Sequence, residues 1–437
     1  MRLLLQGMTV LPMTGAEVIE NGVIGIEDGK IAFVDRQGPV SENFFADEVI
    51  DARGMVATPG LVNCHTHAAM VLLRGYADDM PLMPWLNEKI WPIEAKLVAE
   101  DIYWGTLLAC VEMIRSGTTT FADMYFYMDQ VARAVEETGM RASLARGLIG
   151  VAPNGAEALE ENIAFVREWH NAAGGRITAM LGPHAPYTCP PDYLRKVTAK
   201  AEELGVGVHI HLAETRAEAG EIAGRFGKSP TVHLAETGLF EVPVLAAHCV
   251  HLGERDIEVL VSHQVGIAHN PQSNMKLASG IAPVARLLAA GARVGIGTDG
   301  ASSNNDLDMV EEMRTASFLQ KVALEDPTVL PAPQAAAMAT LGGARALHLE
   351  KEIGTLEPGK KADVVLWDWS AAHLAPQHDV FAHFVYAAHA GDADTVIIDG
   401  RVVMRDRRIL TVDEGAVIEQ AGQCARRLVR AVAEDAS

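Results

Sequence analysis

The stretch VATPGLVNCHTH, residues 56–67, begins with an apolar run and ends with two histidines separated by one residue. The run Val56–Val62 has the composition of a buried strand. Residues i and i+2 of an extended chain point the same way, so His65 and His67 can direct two imidazoles at one point beyond the strand. The chain contains 16 histidines, so such a pair alone is as consistent with accident as with metal binding.

Seven further strand-like runs follow this first one, and polar, helix-like sequence comes after each. They are Thr118–Ala122, Ala142–Ala145, Ile177–Leu181, Val206–His211, Val244–Ala247, Val265–Ala268 and Arg293–Gly297. Alternating strands and helices predict a parallel sheet, and eight such units predict a closed (β/α)8 barrel of the TIM type. We expect this α/β barrel to occupy residues 56–354.

Both ends of the chain consist instead of short predicted strands joined by tight turns. The dipeptides Asp28-Gly29 and Asp399-Gly400 are typical of hairpins. We therefore expect residues 1–55 and 355–437 to fold together into one small β-sandwich domain. A C-terminal helix over Glu414–Ala433 is expected to close it.

Composition excludes several classes of partner. The formal net charge of −21 argues against binding to nucleic acid or to an anionic membrane surface, which requires clustered Lys and Arg. No signal peptide is visible, and no apolar stretch approaches the ~20 residues that span a bilayer. The five cysteines form no CxxC pair, which favours free thiols and a cytoplasmic location.

Side chains that bind metals recur at the ends of other predicted strands. The fifth run is followed by Glu214, the sixth by His248 and the eighth by Asp299. The C-terminal ends of barrel strands face one mouth, where enzymes of this architecture place their sites. Imidazole and carboxylate ligands with one open position suit catalytic Zn²⁺, with Fe²⁺ as the alternative. The predicted ligands are His65, His67, His211 and Asp299.

Two other histidines are interpreted differently. His209 is expected to pack between the barrel and its helices, on the face opposite to His211. His269, which follows the seventh run, is expected to be structural or to support the site from behind.

Several segments of the chain resemble the amidohydrolase superfamily and, within it, the deaminases of 5-methylthioadenosine and S-adenosylhomocysteine. They are PGLVNCHTH (59–67), GPHAPY (182–187), HLAET (211–215), AHC (247–249), GTDGASSN (297–304) and GTLEPGKKAD (354–363). The resemblance covers nearly the whole chain. It implies that a metal-bound hydroxide deaminates the adenine ring of 5′-substituted adenosines, giving the inosine analogue and ammonia. Adenosine and 5′-deoxyadenosine are further candidate substrates.

The resemblance also implies catalytic roles. Glu214 would pass a proton to a ring nitrogen, which makes attack at the neighbouring carbon easier. His248 would orient the attacking hydroxide, and Asp299 would take the proton of the water. Relatives that use two metals carry a modified lysine after the fourth strand. Residues 179–184, AMLGPH, contain none, which implies a single metal.

Four substrate contacts are implied in the same way. Glu94 matches a ligand to ribose hydroxyls, His184 a purine contact, and Trp85 an apolar wall near the 5′ substituent. Arg146, just after the third run, matches an arginine near the 5′ substituent, where it suits a carboxylate tail. The downstream loop, residues 150–161, offers acids and no second arginine. The protein should therefore bind an amino-acid tail weakly. Substrates with small 5′ groups should react at least as well as S-adenosylhomocysteine.

Two alternatives remain open. The first is hydrolysis of another substituted heterocycle, such as guanine, cytosine or a triazine. Glu94 with Trp91–Ile93, and the loop Asp299–Asn305, favour the adenosine type. The second is an inactive barrel that serves as a binding protein, which the intact set of metal-binding side chains argues against. The expected partner is a small nucleoside, and a homodimer or homotetramer stays open.

Overall fold

The computed structural model describes residues 1–435, which contain seventeen strands in two sheets. The strands are β1 (Arg2–Val10), β2 (Ile19–Glu27), β3 (Lys30–Arg36), β4 (Glu48–Asp51), β5 (Met55–Pro59), β6 (Leu61–Thr66), β7 (Thr118–Tyr125), β8 (Arg141–Leu148), β9 (Ile177–Pro183), β10 (Val208–Leu212), β11 (Val244–His248), β12 (Gly266–His269), β13 (Arg293–Ile296), β14 (Val364–Asp368), β15 (Ala393–Ile398), β16 (Arg401–Arg405) and β17 (Arg408–Ile409).

Helices connect the strands and cover the outside of the barrel. The α-helices of six residues or more are Ala99–Arg115, Met128–Thr138, Gly155–Trp169, Pro191–Leu204, Arg216–Phe226, Pro230–Glu236, Glu254–Ser262, Pro271–Lys276, Val284–Ala289, Met309–Leu324, Ala332–Ala337, Val380–Tyr386 and Glu414–Asp435, and a 3-10 helix spans Ala68–Leu73. Shorter α-helical turns are Pro39–Glu42, Leu82–Trp85, Trp91–Glu94, Ala172–Gly175 and Gly343–Ala346. Within residues 1–435, none of these helices is both long and apolar enough to cross a membrane.

Strands β6–β13 close into a parallel barrel, which confirms the prediction of eight strand–helix units. The barrel closes where β13 pairs with β6, through Ile296 and Asn63. All eight strands are almost entirely buried, as expected of a parallel sheet that is covered by helices. Because every strand runs the same way, their C-terminal ends share one mouth.

The remaining strands come from the two ends of the chain and form one nine-stranded sheet. It has its own hydrophobic core, to which both ends contribute, as Leu5 and Ile26 pack with Val364 and Ile397. Both predicted hairpin turns are confirmed. Their Asp-Gly pairs have positive φ at both residues, namely Asp28 (50°), Gly29 (79°), Asp399 (50°) and Gly400 (75°).

The predicted first barrel strand, Val56–Val62, is divided between the two sheets. Residues up to Pro59 pair with β1 and β14 in the chain-end sheet, whereas Leu61 begins the barrel strand β6. The chain crosses at Gly60, where a Cβ atom would lie 2.0 Å from Thr119 Oγ1. Only glycine allows this approach. The domain limits at residues 56 and 354 stay a prediction, and residues 436 and 437 lie outside the described residues.

A buried ion pair ties the barrel to the chain-end sheet. Arg141, at the start of β8, donates from Nε to Asp363 Oδ2 at 2.8 Å and from Nη2 to Oδ1 at 3.1 Å. The C-terminal helix Glu414–Asp435 packs on the barrel helix Ala99–Arg115. The ion pair lies at the N-terminal end of β8, opposite to the mouth, whereas the C-terminal helix also contacts the turn Trp91–Glu94.

Candidate active site

The predicted metal-binding side chains lie where barrel strands end. His65 is on β6, His211 on β10 and His248 on the last residue of β11, while Asp299 follows β13. The backbone turns sharply at two of these ends, with φ of 74° at His248 and 63° at Asp299. Non-glycine residues adopt such values rarely and chiefly where the surroundings hold them, often at functional sites. These turns direct the side chains across the mouth.

The four predicted metal ligands converge on one point. The Nε2 atoms of His65 and His67 each lie 3.4 Å from Asp299 Oδ1. His211 Nε2 lies 3.3 Å from His67 Nε2. His65 Nε2 is buried and has no hydrogen-bond partner within residues 1–435. Three imidazole nitrogens and a carboxylate oxygen therefore surround one point, and the nitrogen of His65 lacks a hydrogen-bond partner. This arrangement fits a divalent metal ion.

Each of the three histidines has its second nitrogen in a hydrogen bond. His67 Nδ1 lies 2.6 Å from Met124 O, and His211 Nδ1 lies 2.8 Å from His184 O. Both carbonyls can only accept, so these rings carry their hydrogen on Nδ1 and leave Nε2 free. Such outer partners commonly orient metal-binding histidines.

His65 Nδ1 lies 2.9 Å from Nε2 of His209, which contradicts the expected position of His209 outside the barrel. That prediction is wrong because residues 209 and 211 are two apart on one strand, so their side chains point to the same face. The alternation rule that pairs His65 with His67 would have placed His209 inside, one layer deeper than His211.

Burial controls the ionisation of the histidine ligands. It lowers the pKa of His65 to about 4 and the pKa of His211 well below its ordinary value. Both rings are therefore neutral near pH 7, the form that binds metals. Burial alone would raise the pKa of Asp299, but the nearby imidazole of His65 outweighs it and holds that pKa well below its ordinary value.

Glu214 and His248 lie beside this cluster. His248 Nε2 is 3.9 Å from Glu214 Oε2 and 4.0 Å from Asp299 Oδ2. Burial raises the pKa of Glu214 above its ordinary value. Burial would lower the pKa of His248, but the Glu214 and Asp299 carboxylates outweigh it and raise that pKa. Both groups therefore hold a proton to a higher pH than they would in water.

Two features of the site were not predicted from the sequence. Glu218, itself buried, accepts the backbone N–H groups of Ala213 and Glu214, each at 2.8 Å, and so fixes the backbone of Glu214. Asp299 Oδ2 accepts hydroxyl hydrogen bonds from Ser273 at 2.6 Å and from Ser303 at 3.1 Å. The pattern T-x-x-E over residues 215–218 indicates a helix start at Thr215, but it does not predict that Glu218 reaches the N–H groups of Ala213 and Glu214.

Three predicted substrate contacts line the cavity above the cluster: Trp85, Glu94 and His184. The indole of Trp85 is fixed by a hydrogen bond from Nε1 to Ala77 O at 3.0 Å. Glu94 Oε1 accepts from the hydroxyl of Tyr125 at 2.7 Å. The same cavity exposes His67, His211, Glu214, His248 and Asp299.

Arg146 does not line this cavity. It lines a neighbouring one of about 740 Å³, which shares Trp91, Glu94 and Phe126 with the first. Its Nη2 pairs with Glu161 Oε2 at 2.5 Å, and its Nη1 donates to Gly147 O at 2.9 Å. The guanidinium is therefore engaged by an acid of the following helix.

Known proteins resemble this chain in both sequence and fold. Residues 56–403 match the amidohydrolase family. The 5-methylthioadenosine/S-adenosylhomocysteine deaminase of Desulforudis audaxviator is 64% identical over 99% of this chain and 100% of its own length. The crystal structure of an adenosine deaminase from Xanthomonas campestris with bound zinc gives a TM-score of 0.94 at 35% identity, over 98% of both chains. The zinc complex of an atrazine chlorohydrolase from Arthrobacter aurescens shares the fold, with a TM-score of 0.89 at 23% identity over 97% of this chain and 100% of that one.

Proposed function

Because the chain belongs to the amidohydrolase family, we propose that it hydrolyses the amino group from the adenine ring of 5′-substituted adenosines. The substrates are 5-methylthioadenosine and S-adenosylhomocysteine, with adenosine and 5′-deoxyadenosine as weaker candidates. One observation carries the proposal. Glu214 is a buried carboxyl group that faces the same cavity as the metal ligands but stands outside their set.

The metal proposed for the site is one Zn²⁺ ion, with Fe²⁺ as the alternative. When bound, such an ion lowers the pKa of a coordinated water to about 7 and so supplies a nucleophile at neutral pH. Its ligands would be Nε2 of His65, His67 and His211, and Oδ1 of Asp299. A cytoplasmic location and a homodimer or homotetramer stay predictions.

The chain's own residues account for the proton movements. Deamination needs a proton on the ring nitrogen beside the attacked carbon, and Glu214, whose pKa burial raises, is suited to hold and deliver it. Asp299 Oδ2, 4.0 Å from His248 Nε2, is the acceptor for the proton of the attacking water. His248 orients that water and stabilises its developing charge.

The other residues of the cavity position the nucleoside. Oε2 of Glu94 accepts hydrogen bonds from the ribose hydroxyls, since Oε1 already accepts one from the hydroxyl of Tyr125. His184, held by a 3.0 Å hydrogen bond between Nδ1 and Thr188 Oγ1, presents its other nitrogen to the purine. The fixed indole of Trp85 and the side chain of Leu82 form an apolar wall for a methylthio group.

A panel of substrates tests the proposal. The metal-loaded protein is incubated with 5-methylthioadenosine, S-adenosylhomocysteine, 5′-deoxyadenosine, adenosine, guanine and cytosine, and the ultraviolet change of deamination is followed. We expect the 5′-substituted adenosines to react fastest. Faster reaction of guanine or cytosine would favour hydrolysis of another heterocycle, and inertness of the whole panel would favour an inactive barrel.

We expect one divalent metal per chain, measured by mass spectrometry of the purified protein. His211→Ala should reduce the bound metal to near zero because it removes one of four ligands. The matched control is His378→Ala, which removes an exposed histidine between β14 and β15 and should leave the ratio at one. Two metals per chain, or full retention in His211→Ala, would refute the ligand set.

Substrate preference should depend on Arg146. We expect the wild type to handle 5-methylthioadenosine at least as well as S-adenosylhomocysteine, because Glu161 competes with the carboxylate tail for the guanidinium. Hydrogen bonds to charged groups contribute about 1.5–3 kcal/mol, so Arg146→Ala should lower kcat/KM for S-adenosylhomocysteine about 10–100-fold. The value for 5-methylthioadenosine should change little.

Glu161→Gln should have the opposite effect, since it frees Arg146 for the tail and raises kcat/KM for S-adenosylhomocysteine. Glu160→Gln is the control, because this exposed neighbour lies on the same helix, whereas the ion pair of Arg146 is made with Glu161. A strong wild-type preference for S-adenosylhomocysteine, or an unchanged ratio of the two substrates in Arg146→Ala, would disprove this explanation.

A further inference from the structure

We propose that His209 is a positioning residue that holds His65 in the tautomer able to bind metal, by accepting the hydrogen on Nδ1 of His65. The inference rests on the metal site of the proposed function. It concerns a residue that neither binds the metal nor touches the substrate cavity, since His209 is fully buried beneath the cluster.

The three ligand histidines differ in what fixes their tautomer. His67 and His211 donate from Nδ1 to backbone carbonyls, of Met124 and His184, at 2.6 and 2.8 Å. A carbonyl oxygen has no hydrogen to give, so it admits only the ring form with the hydrogen on Nδ1. Nε2 then carries no hydrogen, so its lone pair is free to bind the metal and no other group is needed to fix the tautomer.

His65 lacks such a carbonyl. Its Nδ1 meets Nε2 of a second imidazole, that of His209, at 2.9 Å. A neutral imidazole can donate or accept at either nitrogen, so this contact admits two arrangements. If His209 donated, the hydrogen of neutral His65 would have to sit on Nε2, which would block the bond to the metal. Metal binding therefore requires His209 to accept at Nε2 and to carry its own hydrogen on Nδ1.

The surroundings of His209 are consistent with this arrangement. The side chain is fully buried, and its Nδ1 has no hydrogen-bond partner within residues 1–435. No other group within residues 1–435 therefore fixes the tautomer of His209, and its contact with His65 decides which nitrogen carries the hydrogen. With its hydrogen on Nδ1, a neutral imidazole at this position keeps a lone pair on Nε2, 2.9 Å from His65 Nδ1. That lone pair is the acceptor that His65 needs.

Two substitutions separate acceptance of a hydrogen bond from simple filling of space. His209→Leu replaces the ring by an apolar side chain of comparable size that offers no acceptor. His209→Gln instead places an amide oxygen near the position of Nε2. The control is His233→Leu, which removes a buried histidine that lies outside the barrel strands and stacks on Phe226. The readout is the zinc affinity of the metal-free protein, in competition with a chromophoric chelator.

We expect zinc to bind about 10–100-fold more weakly to His209→Leu, the range found when outer partners of metal ligands are removed. His209→Gln should restore most of the affinity, and His233→Leu should match the wild type. Native affinity in His209→Leu, or equal weakening in the leucine and glutamine variants, would overturn the proposal. Because zinc affinity needs no substrate, failure here is distinct from failure to deaminate adenosines.

A measurement on the wild type decides the matter if His209→Leu does not fold. Long-range ¹H–¹⁵N spectra of the histidine-labelled protein report which ring nitrogen carries the hydrogen, and comparison with His209→Gln assigns the signals. We expect His209 to carry its hydrogen on Nδ1, with and without zinc. A hydrogen on Nε2 of His209 in the zinc-bound protein would overturn the proposal.

Discussion

Replacing Glu214 by glutamine should lower kcat for 5-methylthioadenosine by about 10²–10⁴-fold, the range that general acid–base groups contribute. Glutamine keeps the shape of the side chain but has no proton to deliver to the purine ring. The carboxyl group is well prepared for that step, because burial raises its pKa and Glu218 fixes its backbone through two 2.8 Å hydrogen bonds.

The substitution should leave the bound metal in place, because Glu214 is not among the proposed ligands. Glu221→Gln is the matched control, since this exposed residue of the next helix pairs with Arg225 on the surface. Such surface pairs contribute little, so its kinetics should be close to those of the wild type. A Glu214→Gln variant with near-native kcat would exclude the proton-transfer role.

Replacing Asp299 by alanine should have a larger effect, because this residue is assigned two tasks. Its Oδ1 lies 3.4 Å from Nε2 of both His65 and His67, as a shared ligand position requires. Its Oδ2 is held by hydroxyls of Ser273 and Ser303 and is the proposed proton acceptor. We expect a loss of at least about 10⁴-fold in kcat, the upper end for one acid–base group, together with weaker zinc binding.

Asp299→Asn separates the two tasks. The amide keeps an oxygen for the metal but cannot take a proton, so this variant should retain more zinc than Asp299→Ala while staying almost inactive. The control is Asp306→Asn in the loop that follows, where the carboxylate accepts only from the backbone of Asp308. Full zinc content and a rate within about tenfold of native in Asp299→Ala would contradict both assignments.

The barrel could be predicted from the sequence because each of its strands is a short apolar run between turn and helix signals. The division of the first predicted strand at Gly60 could not be predicted. An apolar run shows that a segment is buried but not which strands it pairs with, and Pro59 and Gly60 mark the break only once Thr119 is known to pack against it. Strand pairing between distant segments is a property of the fold, not of the local pattern.

The same limit applies to the residues at the barrel mouth, because the local sequence fixes the direction of some side chains but not of others. His65, His67 and His211 could be placed because strand direction alone fixes where their short side chains point. The same alternation places His209 on the face of His211, inside the barrel. Arg146 was different, since its position after the third strand is compatible with several directions of a long side chain, and only the structure places its guanidinium against Glu161.

The most direct test of the central claim is the product that the zinc-loaded protein forms from 5-methylthioadenosine in water enriched in oxygen-18. The account predicts 5-methylthioinosine with one oxygen-18 atom on the ring carbon that carried the amino group, and one ammonia released per product. It also predicts that removing the metal stops the reaction and that returning zinc restores it. Unchanged 5-methylthioadenosine with the zinc-loaded protein, or a product that keeps the amino group and loses its methylthio group, would contradict the account.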